Sequence, residues 1–111
     1  MANPFFSPPA HYLYTVQPVR LAIMSEGPTE QEAAIVGQHW AYLKGLFERG
    51  IVVFVGRILR PDETGFGHCV FRADSEEEAR AIMNADPAVS AGLMRAQLYP
   101  YQVLLPPAGV R

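Results

Sequence analysis

One cysteine stands among 111 residues, so the chain has no internal disulfide and no second thiol to frame a zinc site. Cys69 reads as a small core residue. Charge is sparse as well: 18% of residues are charged and the formal net charge is −2. No broad cationic surface is available to attract phosphates, which disfavours general nucleic-acid binding. No apolar run reaches the roughly 18 residues needed to span a bilayer. The opening stretch MANPFFSPPAHYLY lacks the basic and continuous apolar regions of a secretory signal. The expectation is a soluble, cytoplasmic protein with no membrane association.

Recognisable cofactor chemistry is missing too. No His, Asp, Glu or Cys set has metal-ligand spacing, and no serine sits in a nucleophile-elbow context. Gly65-x-Gly67 falls in a hairpin and not between a strand and a helix, so it is no phosphate loop. Neither a metal nor a nucleotide cofactor is expected.

Half of the residues are hydrophobic, enough for one domain with a sizeable core. Residues 1–13, with Pro4, Pro8 and Pro9, read as an arm, 14–105 as the folded domain and 106–111 as a tail. β-Branched and aromatic residues thicken from Tyr12 to Met24, with Val19–Met24 the expected core of a first strand. Thr29 precedes Glu32 by three residues, the spacing of a capping box, and a helix is expected from there to about Arg49. Its apolar stripe is Val36, Trp40, Leu43 and Phe47, with Ile35, Tyr42 and Leu46 on the flank. Gly50 ends it.

Ile51–Val55 is apolar without alternation and reads as a strand buried on both faces. The loop of a hairpin follows to Gly67, and His68–Ala73 form a third strand. Ser75 and Glu78 cap a second helix whose inner face is Ala79, Ile82 and Met83. Asp86-Pro87 opens a turn, and Leu98–Leu105 make a fourth strand. The order βαββαβ is the ferredoxin-like pattern, an α+β fold with a four-stranded antiparallel sheet and two helices on one face. Two helices cover only that face, while Ile51–Val55, Phe71, Tyr99, Tyr101 and Val103 supply apolar side chains beyond it. Packing of two chains sheet to sheet, as a homodimer, is the expected way to cover the rest.

His39 lies on the helix face expected to be buried. A histidine there is either a satisfied core residue or a general base, since imidazole titrates near neutrality. Asp86 before Pro87 fits an N-cap with proline at the first helical position, and its second oxygen is free to orient a histidine.

The run His39-x-x-Tyr42-Leu43, the strand-ending Gly56 and the segment Ala85-Asp86-Pro87-Ala88-Val89-Ser90-Ala91-Gly92-Leu93 together resemble the YciI-like (YCII-related) family of small dimeric α+β barrel proteins. The similarity covers about Leu21 to Leu105. It implies a catalytic His39/Asp86 dyad lining a small-molecule pocket, with proton-transfer, elimination or isomerisation chemistry. A non-catalytic dimer that binds a ligand or assists a larger enzyme is the alternative. Arg57 stands where similar members often carry proline after the glycine. Tyr42, Arg57 and His68 are the candidate substrate-binding residues. A rival resemblance, of Gly65–Phe71 to the third strand of RNA-recognition motifs, lacks the basic residue before Gly65 and has His68 at the central aromatic position.

Overall fold

The computed structural model describes residues 9–107, so most of the expected arm and the last four residues of the tail lie outside the described residues. The elements run β1 (His11–Pro18), α1 (Ala22–Glu26), α2 (Glu30–Glu48), β2 (Val52–Arg57), β3 (Gly67–Arg72), α3 (Glu76–Asn84), α4 (Pro87–Ser90) and β4 (Met94–Tyr101). The four strands form one antiparallel sheet in the order β2-β3-β1-β4. This is the ferredoxin-like α+β arrangement. Among the described residues no helix is long and apolar enough to cross a membrane.

The first strand lies earlier than expected. β1 begins at His11, within the stretch assigned to the arm, and its ladder with β4 closes at Pro18, which has no amide to donate. Val19–Met24, expected as strand, instead turns and enters the short helix α1. Arg20 holds that turn against α2: its Nε donates to Glu32 Oε2 at 2.9 Å. This pairing, with the Thr29 amide, draws the Glu32 carboxyl down to about 2.

The start of α2 follows the sequence. Thr29 accepts from the Glu32 amide at 3.2 Å, and Glu32 accepts in return from the Thr29 amide at 2.9 Å. Its buried face is turned by about one residue from the expected stripe: His39, Leu43 and Leu46 are buried, while Trp40 and Phe47 are more than half exposed. Gly50, at φ 77°, ends the helix in the left-handed region as expected.

In β2 the unbroken apolar run includes an irregularity. The register shifts between Val52 and Phe54, so Val52 and Val53 are both buried while Phe54 is not. β4 also lies earlier than expected, at Met94–Tyr101. Its inward positions Met94, Ala96 and Leu98 alternate with outward Arg95, Gln97 and Tyr99, as suits an edge strand open on one side. Val103 falls beyond it.

Alternation along β1 sends Tyr12, Tyr14 and Val16 toward the helices, where they meet Cys69 and Phe71 of β3. Phe71, expected to add to the open face, is fully buried in this core, 5.6 Å from the Tyr14 ring and edge-on to it. Burial of such a side chain contributes about 1.5–3 kcal/mol. Phe71, held there, has no ring face open to a partner. The opposite side of the sheet carries Leu13, Phe54, Tyr99 and Tyr101, the last three still partly exposed.

Candidate active site

Asp86 caps α4, with Pro87 at its first position, and its Oδ1 accepts from the Ala88 amide at 2.9 Å. The turn that was expected here is this short helix. Asp86 is fully buried, a costly place for a carboxylate unless donors surround it. Two more do. Tyr14 donates its hydroxyl to Oδ2 at 2.8 Å, and His39 Nδ1 lies 2.8 Å from both oxygens. His39 is itself only 5% exposed.

Three separate elements therefore meet at one carboxylate: β1 through Tyr14, α2 through His39 and the α3–α4 junction through Asp86. Burial first, and then the neighbouring Cys69 and Asp86, push the Tyr14 phenol far above its usual range. Tyr14 is thus a hydrogen-bond donor and not an acid. Cys69, beside it in the core, is pushed up to about 12, first by burial and then by Asp86. It stays a thiol and is no nucleophile at neutral pH.

His39 also forms part of the wall of a cleft of about 800 Å³ between α2 and the β2–β3 end of the sheet, the size of a small-molecule site. Tyr14, Leu43 and Cys69 line its inner end, and Trp40 and the residues from Val55 to Pro61 line the outer part. With Nδ1 committed to Asp86, His39 has Nε2 left without a hydrogen-bond partner among the described residues.

The structure brings His39 and Asp86 together. Arg57 lines the cleft. His68 contributes to the lining, but its ring packs edge-on to Phe54 at 5.9 Å and lies over Gly56. A Cβ at Gly56 would sit 3.1 Å from His68 Nε2, which gives that glycine a local reason. Tyr42 is not in the cleft wall: its hydroxyl donates to the Ile82 carbonyl at 2.6 Å and ties α2 to α3. The group not anticipated at this carboxylate is Tyr14; alternation along Tyr12-x-Tyr14-x-Val16 places it on the inner face of β1 without indicating what its hydroxyl meets. Among the described residues no three His, Cys, Asp or Glu side chains cluster so as to hold a metal ion.

A family model for the YCII-related domain matches residues 12–100. The chain belongs to the YCII-related family. Comparison with curated proteins gives no match. Among solved structures, this YCII-related chain is similar to the 5-chloro-2-hydroxyhydroquinone dehydrochlorinase TftG from Burkholderia phenoliruptrix AC1100, determined in complex with 2,5-dihydroxybenzoquinone. The TM-score is 0.58 at 17% identity, covering 82% of this chain and 93% of that one. At that identity the likeness is one of fold.

Proposed function

We propose that this YCII-related protein is a small-molecule enzyme in which His39 acts as the general base and Asp86 orients it. The observation that carries the reading is the Nδ1 contact to both Asp86 oxygens at 2.8 Å, beside a cleft that His39 helps to line. A carboxylate accepting at Nδ1 fixes the proton there, so Nε2 holds a lone pair. That nitrogen removes a proton from a carbon acid bound in the cleft, and Asp86 stabilises the imidazolium that results.

The electron pair of the broken C–H bond then forms an enolate-type double bond or expels a leaving group at the neighbouring carbon. His39 returns its proton to substrate or solvent. Elimination of chloride is the reaction class in the name of the structural neighbour, and it supports this route. Two copies of the chain pack through the open sheet face, covering Phe54, Tyr99 and Tyr101. A cytoplasmic location belongs to the same reading, with Cys69 as a free, buried thiol.

The test is proton abstraction itself. Cyclic diketones, hydroxyquinones and 5-chloro-2-hydroxyhydroquinone are incubated with protein in D2O, and C–H exchange and chloride release are followed by NMR and ion chromatography. The wild-type chain is expected to accelerate exchange or release for at least one compound, and His39→Gln and Asp86→Asn to lose that acceleration by about 100-fold or more. Equal rates in wild type and His39→Gln across the set would exclude the base.

A further inference from the structure

The chain has 11 acidic residues against 9 lysines and arginines. The cleft inverts that balance: among the described residues no Asp or Glu lines it, whereas Arg57 and Arg60 do. Arg57 follows Val55 by two residues in β2, so alternation sends both to the cleft side of the sheet. Arg60 stands on the loop beyond, which is a built turn: Ile58 donates to Phe66 and Gly65 to Asp62, at 2.8 and 2.9 Å.

Neither guanidinium has an ion-pair or hydrogen-bond partner among the described residues, unlike Arg20 on Glu32 or Arg80 on Glu76. The acids nearest Arg60 in sequence make no ion pair with it: Asp62 accepts from the Thr64 amide, and Glu63 lines a separate groove. Apolar residues make up most of the remaining lining, Trp40 and Phe66 among them.

We infer that the cleft selects a small aromatic anion, its charge held by the Arg57 and Arg60 forks and its ring laid on Trp40. This rests on the reading of the cleft as a substrate site. Arginine suits the task because its planar fork matches a carboxylate or enolate pair of oxygens. Holding the charge at the mouth fixes the ring deeper in, toward His39.

The chain contains one tryptophan, Trp40, and it stands in the cleft wall. Its emission therefore reports occupancy. Titration of the full chain with benzoate and with the neutral isostere benzamide is expected to show benzoate binding about tenfold tighter or more, as for hydrogen bonds to charged groups. The variant R57A/R60A is expected to lose that preference and R57K/R60K to keep part of it. Both arginines are exposed, so each variant should melt as wild type does.

His39→Gln should retain the preference. If it does while no proton exchange is found in any compound, the acid–base reading fails and the anion site stands. Equal binding of benzoate and benzamide, a preference that survives in R57A/R60A, or no response to millimolar benzoate would each overturn the anion site.

Discussion

Asp86 holds a cap and a pair on one carboxylate, since the oxygen that receives the Ala88 amide also lies 2.8 Å from His39 Nδ1. Removing it leaves the Tyr14 hydroxyl and the His39 ring buried without their acceptor. Asp86→Ala is expected to destabilise the fold by about 3 kcal/mol or more, and Tyr14→Phe by about 1–2 kcal/mol, in urea unfolding. Asp86→Asn retains a capping oxygen and should fall between them. Wild-type stability in Asp86→Ala would show that the carboxylate is not the hub. His39 and Asp86 were legible because each was odd or doubly apt in its own stretch: an imidazole on a core face, an acid before proline. Tyr14 was not, since a tyrosine in a strand carries no mark of what its hydroxyl meets. Tyr42, four residues before the buried Leu46, read as a cleft residue but satisfies a backbone carbonyl instead.

At the level of elements, capping signals were reliable and strand ends were not. Thr29 and Ser75 act locally, on an amide three residues on, so their sequence spacing suffices. The limits of β1 and β4 depend on each other: Pro18 faces Met94, and pairing stops there whatever the apolar content of Val19–Met24. The β2–β3 loop is decided by one contact that composition conceals. A Cβ at Gly65 would sit 2.0 Å from the Arg60 carbonyl oxygen, closer than any side chain permits. Gly65→Ala is expected to cost about 2 kcal/mol or more and to displace Arg60. The melting temperature checks the first effect and benzoate titration the second. An unchanged melting temperature would mean that the loop is not tightly held.

For the whole molecule, the order of strands and helices identified the architecture, because right-handed crossovers leave few arrangements for βαββαβ. The sheet face turned away from α2 and α3 carries Phe54, Tyr99 and Tyr101, each more than a third exposed. Light scattering at micromolar concentration is expected to give a dimer for the wild-type chain and a monomer for Phe54→Glu, whose carboxylate would be buried by the pairing. A wild-type monomer would reject the assembly. The hub at Asp86 joins residues 47 and 72 positions away along the chain, at His39 and Tyr14. A cut in the β2–β3 loop would leave the imidazole and the phenol on one fragment and their acceptor on the other. Neither piece alone could hold the constellation, so its return on mixing would report that the two halves had reassembled correctly.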